Sequence, residues 1–406
     1  MFIPHTRRLI DAVTMHEAQG VHIESVPDNP VINNLDSLLA DIYLRFIALR
    51  ADDFKLYYKI FDSIFSAIHR NMKEVDPYFN RYSSTAQPAG SHYDGLRIKK
   101  PDEFDMDIVI GLPINMKEDR FIPSNSDIVL EPSNYAYVKL KMGKQFQNLP
   151  NRDEWEINKT AYKWKDENNY LLRSKFSDWF KSVVYRALNK FECYGNYRLV
   201  TVDNVPYVIR TSESGPAITL KITNITGFKM DVDLVPALRF PEERWPVTSD
   251  YRDITADCSV GSYGWMVVYN FKQTLRFIKK LRDAQGMDEI ASYYIKTLFF
   301  WEVVERKSEP RFWNKPPSEL FIIMVKRLHR AMANRNIPYF WNKQYNLIEG
   351  VASNILAGYA NKLQRLVNIL DDPTKYKMVA EYLLTDDEYE AYKPKLYPRQ
   401  FAIYNI

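Results

Sequence analysis

Three acidic residues alternate with apolar residues at positions 103 to 107, in the order Glu103, Phe104, Asp105, Met106 and Asp107. In a β-strand, successive side chains point to opposite faces, so the three acids share one face. Like charges held this close raise one another's pKa and cost stability unless a cation lies between them. Carboxylate oxygens without nearby His or Cys suit Mg²⁺ or Mn²⁺, and two such ions roughly 3.5–4 Å apart commonly serve displacement at phosphorus. The segment therefore predicts a metal site for phosphoryl transfer.

A second strand with the same alternation supplies a further acid. In the segment KMDVDLVPAL, Asp231 and Asp233 alternate with apolar residues, so this strand can lie beside the first. We expect Asp233 to complete the metal site with Glu103 and Asp105. One strand of this kind alone would more often be the solvated face of a sheet, but two such strands favour the metal site.

A glycine-serine pair precedes the first acidic strand. Gly90 and Ser91 end the breaker-rich run STAQPAGS, and Ser91 lies twelve residues before Glu103. Glycine lets the backbone approach a ligand closely, and backbone N–H groups at a following turn can bind phosphate with help from the serine hydroxyl. A Gly-Ser pair followed by a short turn and an acidic strand predicts a triphosphate site next to the metal site.

The order of helical and strand patterns indicates an α+β protein. Apolar residues recur at helical spacing in two early segments, 35–48 and 54–72, and short strands follow with one helix at 171–191 among them. Four more helical segments are predicted at 265–283, 288–305, 317–334 and 346–370. We therefore predict an irregular segment at 1–33, a mixed lobe at 34–245 and a helical lobe at 246–406. The segment 371–406 carries no clear assignment apart from one possible last helix.

Composition narrows the class of protein. The chain has 406 residues, 46% of them hydrophobic, with a net charge of +4, which permits a polyanionic partner without requiring one. The two cysteines, Cys193 and Cys258, do not suit a multi-bridge secreted scaffold. Neither a signal peptide nor an apolar stretch of about 18 residues is evident. We expect a globular protein of the cytoplasm without a membrane partner.

The acidic strands resemble those of nucleotidyltransferases of the DNA polymerase beta type, and more narrowly those of the cyclic GMP-AMP synthase-like receptors of animals. The stretch GSHYDGLRIKKPDEFDMDIVIGLP, which begins at Gly90, is similar to that family's activation-loop serine and first two metal ligands, and DVDLVPALRFPEERWP to its third-ligand strand. The segments SYYIKTLFFWEV and PYFWNKQYNLI also resemble the family, so the likeness covers roughly residues 35–370. It implies a two-lobed nucleotidyltransferase fold with a long N-terminal spine helix and a C-terminal helical-bundle lobe.

The resemblance also implies roles for residues at matching positions. Glu103, Asp105 and Asp233 would be catalytic and hold two Mg²⁺ or Mn²⁺ ions, and ATP and GTP would be the substrates of cyclic dinucleotide synthesis in innate immune signalling. The residues expected to bind nucleotide are Gly90, Ser91, Arg276 or Lys279 (the helical register leaves both open), Ser292 and Tyr293. Tyr293 would stack on a base, although without the family match it would be taken for an ordinary buried aromatic residue.

Departures from the vertebrate enzyme point to a different activating ligand. Only eleven positions separate Trp265 from Arg276, with no Cys or His among them, so the zinc-binding insert used to grip DNA is missing and no zinc is expected. Met266 stands where the family has an arginine that reads a base edge, just after the matching tryptophan. Family members without the insert resemble sensors of double-stranded RNA. Double-stranded RNA would therefore activate this protein and could hold a homodimer.

A basic strip on the long N-terminal helix is the candidate contact with that RNA. Four residues lie within one helical phase and could bind phosphates of an A-form duplex: Lys55, Lys59, Arg70 and Lys73. Arg45 and Arg50 could extend the strip, and three residues of the helical lobe are weaker candidates: Lys326, Arg327 and Arg330. The simpler alternative is a solvated helix face.

Two other functions share parts of this pattern. One is a catalytically silent relative that keeps the fold as a binding module, although such a protein has no reason to keep crowded carboxylates. The other is an oligoadenylate-making or terminal nucleotidyltransferase, which the matches in the helical lobe disfavour.

Overall fold

The computed structural model describes residues 31–89, 96–98, 100–114, 127–132, 138–239, 264–306, 312, 315–340 and 342–398. These residues form two compact units, one comprising 50–89 and 100–239 and the other 31–49, 96–98 and 264–398. The first unit combines helices with a sheet and the second is helical, which confirms the predicted α+β class. Gly90 and Ser91 lie outside the described residues.

A seven-stranded mixed sheet organises the first unit, in the order β1-β2-β9-β8-β7-β6-β5. Its strands are β1 (Ser83–Ala89), β2 (Glu103–Ile110), β5 (Glu192–Tyr194), β6 (Tyr197–Val202), β7 (Val205–Ser214), β8 (Ala217–Thr223) and β9 (Lys229–Leu238). Strands β2 and β9 are parallel, whereas the other neighbouring pairs are antiparallel. A separate antiparallel pair joins β3 (Ile128–Pro132) to β4 (Val138–Met142).

Helices cover one face of the sheet and form the core of the first unit with it. The helices of this unit are α2 (Ala51–Val75), α3 (Pro77–Tyr82), α4 (Lys144–Gln147), α5 (Trp155–Tyr162) and α6 (Arg173–Leu188). Phe104, Met106 and Ile108 of β2 are buried in this core, and the ring of Phe104 stacks on Phe61 of α2 at a centroid distance of 4.2 Å. The apolar half of the β2 alternation therefore faces the helices and leaves the acidic half on the opposite face.

The second unit is helical, and its helices come from the parts of the chain that precede and follow the strands. They are α1 (Leu35–Ile42), continued by a π-helical turn (Tyr43–Ile47), then α7 (Gly264–Ala284), α8 (Ser292–Glu305), α9 (Pro317–Ala333), α10 (Ser353–Leu370), α11 (Ala380–Leu383) and α12 (Asp386–Leu396). Two predicted helices begin later than expected, α8 at Ser292 and α10 at Ser353. The residue before each, Ala291 and Ala352, has an extended ψ of 149° and 136°, which is incompatible with a continuing helix.

Residues 34–49 differ from the predicted division. They were expected in the mixed lobe, but Leu38, Leu39 and Ile42 are fully buried in the core of the helical unit. The apolar face of α1 packs against α9 and the 3₁₀ segment Pro373–Val379. The helix therefore belongs to the unit that buries its apolar residues and not to the lobe that follows it in the sequence. Residues 373–396, which the sequence left unassigned, complete the same core.

Among the residues that the structure describes, no helix combines the length and apolar character needed to cross a bilayer.

A buried ionic cluster ties the last helix to the first in the helical unit. Asp41 is only 2% exposed and accepts hydrogen bonds from Lys395 Nζ at 2.8 Å, Tyr392 Oη at 2.5 Å and Arg45 Nε at 3.1 Å. Burial works to raise the pKa of Asp41, but the hydrogen bonds from Lys395, Tyr392 and Arg45 outweigh burial and lower it. The ionised carboxylate is therefore the form that stabilises this unit.

Replacing Asp41 by Asn should destabilise the helical unit by about 3 kcal/mol, because it leaves Lys395 largely buried without its counter-charge. Urea denaturation of wild type and Asp41→Asn measures this loss. The matched control is Glu319→Gln, which breaks an exposed pair with Lys315 and should cost less than about 0.5 kcal/mol. The wild-type advantage should persist at neutral pH and disappear as the pH falls through the lowered pKa of Asp41. Equal stability of both variants at neutral pH would contradict this role for Asp41.

Candidate functional site

Three carboxylates converge on the sheet face opposite the helix-covered core. Oxygen atoms of Glu103, Asp105 and Asp233 lie within 4.8 Å of one another, and all three residues are half-buried. The parallel register of β2 and β9 aligns Asp105 with Asp233 and Glu103 with Asp231. Within the described ranges, this is the one group of three or more potential metal ligands. The structure thus brings together the three residues selected from sequence.

The packing of β9 explains why Asp233 faces the other acids. Met230, Val232 and Leu234 are buried in the helix-covered core, so Asp231 and Asp233 must point to the opposite face. A shift of one residue in register would place both aspartates in the core at a high cost in desolvation. Hydrophobic burial therefore fixes the direction of each acidic side chain.

Strand β8 adds a residue that sequence reasoning missed. Thr219 is the cross-strand partner of Asp233, and its hydroxyl donates a hydrogen bond to Asp233 Oδ1 at 2.5 Å. This contact leaves Oδ2 of Asp233 for a further ligand. The alternation of AITLKIT predicts a polar face for Thr219, but its pairing with Asp233 depends on a register that the sequence alone does not reveal.

Asp107 shares the acidic face without joining the group of three. Burial raises the pKa of Asp107 above its ordinary value. Its partners are Val235 on β9 and Gln87 on β1, so no second carboxylate lies opposite it. The site therefore occupies the end of β2 that carries Glu103 and Asp105.

The donor set fits a hard divalent cation. Glu103, Asp105 and Asp233 offer only oxygen ligands, with no His or Cys among them, as Mg²⁺ and Mn²⁺ prefer. A cation between them would offset the mutual repulsion of the carboxylates. The three residues can thus hold a divalent metal, and the chemistry of their ligands favours Mg²⁺ or Mn²⁺ over zinc.

The glycine-serine pair remains a prediction. Strand β1 ends at Ala89, whose cross-strand partner is Asp105, so the chain reaches the acidic site directly before Gly90 and Ser91. These two residues lie outside the described part of the chain. The position of Ala89 is what supports a phosphate-binding role for the residues that follow it.

The two cationic candidates of α7 differ in accessibility. Lys279 is 4% exposed and donates a hydrogen bond to the carbonyl oxygen of Leu96 at 3.0 Å. Burial, aided by the positive charges of Arg282 and Arg97, lowers the pKa of Lys279 to about 8. Arg276 is half-buried and donates a hydrogen bond to the hydroxyl of Tyr43. Of the two, Arg276 is the more accessible to a ligand.

Ser292 and Tyr293 begin helix α8 in the helical unit. Ser292 Oγ accepts a hydrogen bond from Arg282 at 2.9 Å, and the same guanidinium nitrogen donates to the carbonyl oxygen of Ile290 at 3.2 Å. Sequence reasoning missed Arg282, which fixes the turn that leads into α8. Tyr293 is 36% exposed, so it is not an ordinary buried aromatic residue.

The candidate RNA-contacting residues of α2 lie along one side of the helix. At 3.6 residues per turn, positions 55, 59, 70 and 73 fall within about 60° of one another and span about 27 Å. Lys55, Lys59 and Arg70 are exposed and Lys73 is half-buried. Lys59 forms an ion pair with Asp203 at 2.6 Å, so part of the strip is already neutralised.

Most of the additional basic candidates are engaged elsewhere. Arg45 belongs to the helical unit, where it pairs with Asp41. Lys326 pairs with Asp371. Arg327 donates hydrogen bonds to two glutamates, Glu302 and Glu305. Arg50 and Arg330 are exposed.

Comparison with known proteins assigns both units to domains of one family. Residues 92–258 match the Mab-21 protein nucleotidyltransferase domain, and residues 270–365 match the Mab-21 protein HhH/H2TH-like domain. The chain thus carries a nucleotidyltransferase domain, which implies nucleoside triphosphates as substrates.

Similar proteins in insects extend over almost the whole chain. A cyclic GMP-AMP synthase-like receptor of Aethina tumida is 30% identical over 379 residues, covering 88% of this chain and 93% of the relative. Proteins of the same name are 29% identical in Ctenocephalides felis, covering 88% of this chain and 89% of the relative, and 29% identical in Tribolium castaneum, covering 88% and 94%. The chain therefore belongs to the Mab-21 nucleotidyltransferase family, among the cyclic GMP-AMP synthase-like receptors.

Mn²⁺ should stabilise the wild type and have much less effect on Asp105→Asn, because the variant lacks one ligand. A concentration about 100-fold above the dissociation constant adds about 2.7 kcal/mol to the free energy of unfolding. Thermal unfolding with and without Mn²⁺ measures the difference. Asp62→Asn, at an exposed acid of α2, is the control and should keep the wild-type response. The same Mn²⁺ shift in Asp105→Asn and wild type would show that the metal binds elsewhere.

Proposed function

We propose that this protein is a metal-dependent nucleotidyltransferase that joins two nucleoside triphosphates, ATP and GTP, into a cyclic dinucleotide. The product would act as a second messenger of innate immunity in the cytoplasm, and double-stranded RNA would activate its synthesis. The convergence of Glu103, Asp105 and Asp233 on one sheet face carries this proposal. The names of the similar insect proteins support the cyclic product.

The carboxylates supply the catalytic arrangement. Two divalent cations held by Glu103, Asp105 and Asp233 would activate a ribose hydroxyl and stabilise the departing pyrophosphate. The chain's own contribution is positioning: paired strands fix the three carboxylates, and the Thr219 hydroxyl holds Asp233 in one orientation. The same residues would serve twice, first to make a linear dinucleotide and then to close the ring.

The nucleotide-binding residues have distinct roles in this proposal. Gly90 and Ser91 would bind the triphosphate of the nucleotide under attack, because they follow Ala89 beside Asp105. Arg276 or Lys279 and Ser292 would contact phosphates, and Tyr293 would stack on a base through its exposed ring.

Activation by RNA rests on the basic strip of α2. Double-stranded RNA is bound mainly through its phosphates and shape, which suits exposed Lys55 and Arg70 on one side of a long helix. Binding there would shift the Gly90–Ser91 segment toward its catalytic form, as a ligand that favours one of two states does. A homodimer assembled on one duplex is compatible with this arrangement.

The two alternative functions differ from this one in their products. A silent binding module would form no phosphodiester bond, and its retention of three crowded carboxylates would be unexplained. An oligoadenylate or terminal nucleotidyltransferase would release linear products. The match of residues 270–365 to the Mab-21 C-terminal domain favours the cyclic product.

Incubation with the four nucleoside triphosphates, Mg²⁺ or Mn²⁺, and double-stranded RNA should yield a cyclic dinucleotide in the wild type. Asp105→Asn should lower the rate at least about 100-fold, because positioning and charge neutralisation supply most of the acceleration. Mass spectrometry of the products separates cyclic, linear and absent products, and therefore all three functions. Asp62→Asn is again the control. Linear oligomers alone, or no product with any nucleic acid, would reject the proposal.

Replacing Lys55, Arg70 and Lys73 together by Gln should weaken RNA binding and reduce the dependence of affinity on salt concentration, because fewer phosphates are neutralised. RNA affinity at several salt concentrations and the rate of product formation measure both effects. A control with the same loss of charge replaces exposed Lys139, Lys163 and Arg173 by Gln on other elements of the same unit. Equal losses in the two triple variants, or full wild-type turnover without RNA, would contradict this RNA site.

A further inference from the structure

The acidic face of the sheet continues into a row of cations. Strand register aligns Glu103 with Asp231, Asp231 with Lys221, and Lys221 with Arg210. Cross-strand partners lie on the same face, so these four side chains form one row across β2, β9, β8 and β7. The row changes from negative to positive between β9 and β8.

Both cations are available to a ligand. Lys221 and Arg210 are exposed, and Lys221 makes no ion pair with another described residue. The Arg210 guanidinium lies 4.2 Å from the ring centroid of Tyr197, which holds it in place without neutralising it. Exposed Lys229, two residues before Asp231, adds a third positive charge to the same face.

The distribution of charge around the three carboxylates is one-sided. On the other side of β2, strand β1 places Gln87 and Ala89 opposite Asp107 and Asp105, and its segment SSTAQPA contains no charged residue. Among the strand residues of this sheet face, the cations next to the row of acids are therefore Lys229 on β9, Lys221 on β8 and Arg210 on β7. A polyanion placed on this face would be repelled by the acids and attracted toward these cations.

We propose that Lys221 and Arg210 form the subsite for the 5′-phosphates of the attacking nucleotide. The inference rests on the proposed function. The attacking nucleotide must present a ribose hydroxyl to the metal-holding carboxylates, while its own 5′-triphosphate projects from the other side of the sugar. The three carboxylates would repel that triphosphate, whereas the row of cations would compensate its charge.

The spacing of the strands suits this ligand. Neighbouring strands lie about 4.8 Å apart, so the Cα atoms of Lys221 and Arg210 lie about 10 Å and 14 Å from that of Glu103. A sugar followed by a chain of phosphates extends over such a distance. The flexible lysine side chain can follow the phosphates, whereas the stacked arginine offers a fixed fork for phosphate oxygens.

With this subsite, the two nucleotides would bind on different sides of the carboxylates. The nucleotide under attack would lie toward β1 and Gly90–Ser91, and the attacking nucleotide toward β8 and β7. In the joining step, the attacking hydroxyl oxygen bonds to the α-phosphorus, pyrophosphate departs, and the hydroxyl proton is released. The linear product keeps the attacking nucleotide's 5′-triphosphate, which must then move to the β1 side, where ring closure expels a second pyrophosphate.

Because of this movement, joining and ring closure should depend on Lys221 and Arg210 to different degrees. During ring closure, the nucleotide on the β8 side carries one phosphodiester charge instead of a triphosphate. Loss of Lys221 and Arg210 should therefore impair joining far more than closure. A merely structural role in the sheet would impair both steps alike.

The test compares wild type with Lys221→Gln, Arg210→Gln and the double variant, and Lys139→Gln on β4 is the control. Initial rates are measured with one nucleoside triphosphate varied at a time, and ring closure is measured separately with the linear 5′-triphosphorylated dinucleotide. The double variant should raise the KM of the attacking nucleotide about tenfold or more, as expected for lost charge-assisted hydrogen bonds. The KM of the attacked nucleotide and the closure rate should stay within about twofold.

Two results would overturn the subsite: an unchanged KM in the double variant, or equal losses in joining and closure with normal thermal unfolding. If the wild type joins no nucleotides, the proposed function is rejected, and nucleotide binding alone then tests the subsite. Calorimetry in EDTA would then compare ATP and GTP with adenosine and guanosine. A preference for the triphosphates that the double variant loses would support the subsite, and its absence would reject it.

Discussion

The repulsion between three carboxylates on two paired strands is the constraint on which the active face depends. Glu103, Asp105 and Asp233 cannot separate, because the apolar residues between them are buried against α2 and α6 on the opposite face. Hydrophobic burial thus holds three like charges close together, and a cation bound between them would offset their mutual repulsion. The core of the first unit therefore fixes the position of a candidate metal site on the face opposite the helices.

The helical unit pairs its buried carboxylates with cations. Its buried carboxylates have cations as partners within the same unit: Asp41 accepts hydrogen bonds from Lys395 and Arg45, and Glu302 from Arg327 and Arg306. These charges are satisfied without a ligand, so they stabilise the unit instead of forming a site. Whether neighbouring charges are alike or opposite therefore distinguishes a candidate binding face from a structural cluster in this protein.

The sequence predicted local features well and distant pairings poorly. The period of two in β2 and β9 identified the acidic face, because alternation of acids with large apolar residues depends only on the strand itself. Placing Asp233 next to Asp105 required a parallel register between strands more than 100 residues apart; the same alternation in both strands indicated this pairing, and the family resemblance supported it. The contact of Thr219 with Asp233 and that of Asp41 with Lys395, 354 residues away, follow from tertiary packing and have no local signature. For the same reason α1 was expected with the sheet, although its apolar face packs against α9.

The way the chain divides between the units affects the order in which it can fold during synthesis. All described residues of the sheet-containing unit lie between positions 50 and 239, so the ribosome makes them before it makes residues 264–398 of the helical unit. The helical core instead joins Leu38 and Ile42, made before the sheet-containing segment, with Leu383 and Leu396, made after it. The apolar face of α1 therefore stays exposed or bound by a chaperone until the residues up to Leu396 have emerged. Termination of synthesis before Leu383 would leave the sheet-containing unit intact and the helical core incomplete.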